Sequence, residues 1–191
     1  MNIKQFWSII EEAKEASADN FASHKYLTDK LASFDVHDIA IWQNIFSEYW
    51  RMAYKRKWWA AAYTIEGGCS DDGFMDFRYG LIASGKEIYL KALNDPDSLA
   101  DLDIDWFSYE EIGYAAMKAY NEKIGQSGAG WEFIENEMDA NPLSEQLKAE
   151  ILSEIKYAKD IDAEWGGLKK SEEVIDNELR ALVPRLCEKF L

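Results

Sequence analysis

Cysteine, histidine and proline are all scarce in these 191 residues, with two, two and three of each. Cys69 and Cys187 stand far apart, and no C-x-x-C or Cys/His cluster exists, which argues against a zinc site. Free thiols suit a reducing, cytoplasmic home. Three prolines and no Pro-rich or Ser-rich tract argue against a flexible linker. No apolar run approaches the roughly 20 residues of a membrane span, so no membrane partner is expected. The opening M-N-I-K-Q-F-W-S-I-I-E-E-A-K-E turns acidic too early for a signal or transit peptide. No segment alternates as a strand would, and there is no internal repeat or heptad array. Basic residues are also few: 21 Lys and Arg face 36 Asp and Glu, a net charge of −15. Direct binding of a phosphate backbone needs Lys and Arg, so no direct nucleic-acid contact is expected.

Familiar site motifs are missing as well. A calcium loop started at Asp101 has Asp103 and Asp105 at its third and fifth positions. It then places Trp106 where glycine is needed and Ile112 where glutamate is needed. G-Q-S-G-A-G-W lacks the G-K-[ST] ending of a phosphate loop. Ala129 stands where a nucleophile elbow needs its closing glycine. No cofactor and no metal are expected.

What the chain does have is aromatic mass: eight Trp, ten Tyr and nine Phe. Large rings contribute strongly to a core, and a chain this long buries roughly 70% of its unfolded surface. Apolar residues recur at helical spacing nearly throughout. Phe6, Ile9, Ile10 and Ala13 share one face, and Phe21 to Phe34 suggest a second helix. Asp35 caps a third, with Ile39, Trp42, Ile45, Phe46, Tyr49 and Trp50 at three- and four-residue intervals. A fourth helix ends at Gly67, and a fifth, capped by Ser70 or Asp71, ends at Gly85. Ser108 opens S-Y-E-E, a capping-box pattern that predicts one long helix to Lys123. G-Q-S-G-A-G at 125–130 reads as a connector, with further helices beyond it. The expected fold is all-α, an irregular or orthogonal multi-helical single domain. Residues 1–124 form its helical core and 125–191 a C-terminal helical layer packed on the same domain.

The charge is uneven. Residues 94–141 carry twelve acids and two bases, so two-thirds of the excess lies in about a quarter of the chain. Either this is a solvated face or it attracts a basic partner. Arg51, Lys55, Arg56 and Lys57 beside Trp58 and Trp59 form a small aromatic-basic patch, which in the ordinary case is a core Trp with a solvated edge.

The densest cluster of special residues is the corner at 67–78. Gly67 and Gly68 let the chain turn, Cys69 follows, and Ser70, Asp71 and Asp72 sit at a helix start. A thiol near helix amides can become a nucleophile, although Asp71 and Asp72 oppose the thiolate and no general base is near. Asp72 and Asp76 are four apart on one helix face, within reach of Arg78. Such a set can bind an anion, hold Mg²⁺ or serve as acid and base, or be structural ion pairing and capping.

The run from Trp59, Ala61, Ala62, Tyr63 and Ile65 through Gly67–Phe74 to Phe77 and Arg78 resembles the signature of a bacterial domain family of uncharacterised function. Leu81, Ile82, Gly85, Ala92, Leu93 and Pro96–Leu99 continue the match, and Phe6–Ala13 resembles the family's opening. The likeness spans residues 3–120. Gly80 departs from it, standing where a bulky aromatic is expected. The resemblance implies a helical fold and a bacterial origin, and no catalytic residue.

The function expected is a non-enzymatic, acidic protein-binding module, an immunity protein neutralising a basic toxin that acts on nucleic acids or nucleotides. Its contact surface is expected at Asp95, Asp97, Asp101, Asp103, Asp105, Glu110, Glu111, Glu132, Glu135, Glu137 and Asp139. The alternative is an enzyme or small-molecule binder centred on Cys69, Asp71, Asp72, Asp76 and Arg78.

Overall fold

A computed structural model describes residues 1–18, 21–103, 107–163 and 172–191. Every regular element among them is helical, so the protein is all-α. The helices are α1 (Ile3–Glu15), α2 (His24–Leu31), α3 (Val36–Met52), α4 (Arg56–Ile65), α5 (Asp71–Ala83) and α6 (Lys86–Asn94). A 3-10 turn, Pro96–Asp101, leads toward α7 (Glu110–Gly113) and α8 (Ala115–Lys123). The last four are α9 (Glu132–Ala140), α10 (Glu145–Glu154), α11 (Glu172–Leu182) and α12 (Pro184–Phe190). None is long and apolar enough to cross a membrane.

Local chemistry sets most of the boundaries. Asn2 and Gln5 form a reciprocal capping box at the start of α1. Ser23, Asp35, Ser70 and Ser144 each accept a backbone N–H at the start of α2, α3, α5 and α10. Gly85 precedes α6 at φ +97°, and a β-carbon there would lie 2.6 Å from Glu11 Oε1. That carboxylate, reaching over from α1, accepts the Lys86 N–H at 3.0 Å and caps α6 from outside.

The core is a continuous ring cluster. Phe6 and Trp7 of α1 meet Trp42 and Tyr49 of α3, with Phe6–Trp42 centroids 5.1 Å apart and Trp7–Tyr49 4.9 Å. Tyr89 packs on Tyr49 and Trp58 and donates to the Tyr49 carbonyl at 2.5 Å. The indole of Trp58 donates to Ala92 O. Trp58 is therefore core and Trp59 half-buried, with Lys55 and Lys57 paired to Asp162 and Asp160.

Helices beyond residue 125 pack on the earlier ones. Asn44 of α3 donates to Met138 O and Asn141 O at the end of α9. The helices α11 and α12 lie on α4, and α12 also meets the Pro96–Asp101 turn.

Two sequence expectations are corrected. The single helix from Ser108 to Lys123 is broken at Tyr114 into α7 and α8. Ser108 does not cap it, because its hydroxyl is held by the Glu66 carboxylate at 2.7 and 2.8 Å. Gly113 at the break lies flat on Tyr79, where a β-carbon would come within 2.6 Å of the ring. Gly80 is not a packing fault either. A β-carbon there would sit 1.6 Å from the Phe107 carbonyl oxygen, so the close approach of α5 to that backbone demands glycine.

Candidate functional site

The corner folds as its residues suggest, but its chemistry does not converge. Gly67 and Gly68 take positive φ, 66° and 137°, and Ser70 caps α5 through Gly73 N. Cys69 is buried beneath, and burial pushes its thiol up to about 12. Such a thiol stays protonated near neutrality and is a poor nucleophile. Asp71 and Asp72 are exposed. Arg78, only 3% exposed, turns away from Asp72 and Asp76. Its Nε donates to Phe74 O at 3.1 Å and its Nη1 to Trp50 O at 3.0 Å. The guanidinium stacks over Trp50 at 3.9 Å, with Phe74 at 4.8 Å and Tyr54 at 5.0 Å. Burial depresses its pKa to about 10. The carboxylate or anion pairing expected of Arg78 is replaced by the closing of the α3 end. Among the described residues no three His, Cys, Asp or Glu are grouped to hold a metal.

The expected acidic surface divides into two parts. Toward the Pro96–Asp101 turn the acids are used internally. Asp97 is 6% exposed, and its two oxygens accept Arg185 N and Leu186 N at the start of α12, which removes it from any partner surface. Asp101 pairs with Lys91 and Arg185. Asp95 is half-buried and Asp103 exposed, while Asp105 lies outside the described residues. From residue 110 to 139 the pattern is different. Glu110, Glu111, Glu122, Glu132, Glu135, Glu137 and Asp139 form no ion pair among the described residues. Glu110 accepts only the Tyr114 hydroxyl, and Glu137 accepts Asn141 and Tyr120.

Asp76 of the corner joins this face. Its Oδ1 is buried without a hydrogen-bond partner among the described residues. Its pKa is raised, first by burial and then by Glu110, Asp72 and Glu111. Two residue sets that looked separate in sequence thus meet across α5 and α7.

Beside this face a cleft of about 400 Å³ opens between α3, α5 and α9. Gln43, Ser47, Trp50 and Arg51 of α3 form one wall, Tyr79 of α5 the floor, and Trp131, Glu135 and Met138 the opposite wall. Trp50 and Tyr79 stack at 5.6 Å, and burial pushes the Tyr79 phenol up. Trp131 leans on Tyr114 at 6.0 Å, which ties the cleft to Glu110. Sequence reasoning missed this cleft. Its signal was Gln43, a polar residue inside the apolar stripe of α3, together with the i, i+4, i+7 set Trp131, Glu135 and Met138.

The chain belongs to a family described as a protein of unknown function (DUF4240), which matches residues 1–122. That stretch contains the corner, Glu110, Glu111 and the α3 and α5 walls of the cleft, whereas Trp131 and Glu135 lie beyond it. No curated protein and no solved structure matches the chain.

Proposed function

We propose that this chain is a non-enzymatic binding module for a basic protein partner. In its sharpest form it is a bacterial immunity protein, acting in the cytoplasm, that neutralises a toxin directed at nucleic acids or nucleotides. The observation that carries this reading is the set of carboxylates on α7 and α9 that form no ion pair among the described residues. Several acids elsewhere are paired, Glu12 with Lys30, Glu154 with Lys86, Asp160 with Lys57 and Asp101 with Arg185. Unpaired carboxylates around aromatic side chains suit a basic surface, which they attract at long range and hold at contact. A toxin cleft that handles phosphates is itself basic. A reading centred on Cys69 has less support, because its thiol is pushed up and Arg78 is occupied elsewhere.

The test is capture of a partner from the source cells at low and at high salt, followed by kinetics on the identified pair. The partner should be basic, harmful when expressed alone, and harmless when this chain is co-expressed. Replacing Glu110, Glu111, Glu132 and Asp139 together by Lys should slow association by about tenfold or more and flatten its salt dependence. Unchanged association would remove the contact from this face. No partner at either salt would sink the reading as a whole.

A further inference from the structure

We infer that the cleft between α3, α5 and α9 seats the guanidinium of an arginine side chain from the partner, with Glu135 and Trp131 as its receptors. The inference rests on the binding-module reading and adds the chemistry of the anchor. Gln43, 5% exposed, closes the α3 wall of the cleft, with its Oε1 sealed from solvent and its Nε2 3.4 Å from Ser47 Oγ. Across from it stands Glu135, a carboxylate on α9 that forms no ion pair among the described residues. The one cation among the described lining residues, Arg51, is already paired with Glu48 on its own helix. The site therefore asks for a positive group that meets a carboxylate and packs on aromatic rings.

Shape selects guanidinium over ammonium. A guanidinium is flat, donates from several N–H groups in a fixed fork, and stacks on aromatic faces. Trp50 already shows that mode inside this molecule, with the Arg78 guanidinium stacked on it at 3.9 Å. Tyr79 is held by Trp50, Phe46 and Gly113, so it serves as the floor. Trp131 has Tyr114 as its ring neighbour and offers the remaining platform. Arginine is also among the residues most enriched at the energetic centres of protein interfaces.

The test uses the full chain without a partner. N-acetyl-arginine amide, N-acetyl-lysine amide and tetramethylammonium are titrated in turn, while the side-chain N–H signals of Trp131 and Gln43 are followed by NMR. The arginine amide should shift both signals saturably and bind several-fold better than the lysine amide. Glu135→Gln, a surface change that leaves the core intact, should weaken it about tenfold. Trp131→Leu should weaken it further. Equal binding of all three cations, or indifference to Glu135→Gln, would overturn the inference, as would unmoved signals. If these fail while capture of a basic partner still depends on Glu110 and Glu111, the binding-module reading stands and the arginine anchor falls. If the amide binds as expected and no partner exists, the anchor chemistry stands and the binding-module reading falls.

Discussion

At the scale of single residues, Arg78 governs what the corner can do. The last carbonyls of a helix lack intrahelical donors, and the Trp50 carbonyl of α3 is one of them. Arg78 supplies that donor from α5 and adds a positive charge where the helix dipole is negative. Its stacking between Trp50, Phe74 and Tyr54 offsets the cost of burying the charge. Arg78→Met keeps the volume but strands the Trp50 carbonyl and loses the stacking. It should cost about 2–3 kcal/mol, read as a fall in Tm of roughly 4–12 °C. Arg78→Lys should fall between, because an ammonium lacks the flat fork that serves carbonyls and rings together. Melting curves that overlay the parent's would show that Arg78 does not tie α3 to α5. The sequence placed Arg78 in a helix beside Asp72 and Asp76, and that much was right. Its direction was not legible, because a helical face fixes which neighbours are near in sequence and not which helix crosses above.

At the scale of elements, the register of α5 is fixed by backbone contact with the strand of chain entering α7. Gly80 lets the Phe107 carbonyl approach, and Tyr109 N donates to Asp76 O at 3.2 Å on the same side. Gly80→Ala would set a methyl 1.6 Å from that oxygen and 2.7 Å from its carbon, both backbone atoms that cannot swing aside. We expect a loss of about 3 kcal/mol or more. Gly73→Ala in the same helix meets only Ser70 Oγ at 3.4 Å and Cys69 Sγ at 3.8 Å. It should be neutral or gain a few tenths of a kcal/mol from helix propensity. Comparable losses in the two variants, measured by urea denaturation, would mean that the close approach is not what Gly80 serves. The elements themselves were largely readable, since Asp35 and Ser70 cap where their side chains predict and Gly67 turns where glycine must. The break at Tyr114 was not, because the reason for it, Gly113 against Tyr79, is a contact between residues 34 positions apart. The cleft escaped for the same reason: its walls come from three helices that only packing brings together.

At the scale of the whole molecule, the acidic face sets protonation against association. A carboxyl raised in the fold contributes stability below its ordinary range and loses it as pH climbs through the folded value. Asp76 is raised by burial and by Glu110, Asp72 and Glu111, and Glu66 by burial, so their ionisation at neutral pH works against the free chain. Glu12 and Asp101 act in the opposite sense, because Lys30 and the Arg185–Lys91 pair hold them low, and their contribution disappears as pH falls. Asp76→Asn should therefore raise Tm at pH 7 and remove part of the decline between the ordinary carboxylate range and neutrality. A basic partner reverses the sign for Asp76, since a cation alongside favours its ionised form, so binding expels a proton at any pH where the free chain still holds it. Affinity should weaken as pH drops below the raised value, by at most tenfold per pH unit for one such group. Calorimetry in two buffers of different ionisation enthalpy would read the proton directly. Release in the parent and none in Asp76→Asn would place the partner's charge against α5 and α7. Equal release in both would move the contact off Asp76 and onto α9, and a stability gain at pH 7 without any change in affinity would leave Asp76 as a self-repelling residue of the free chain alone.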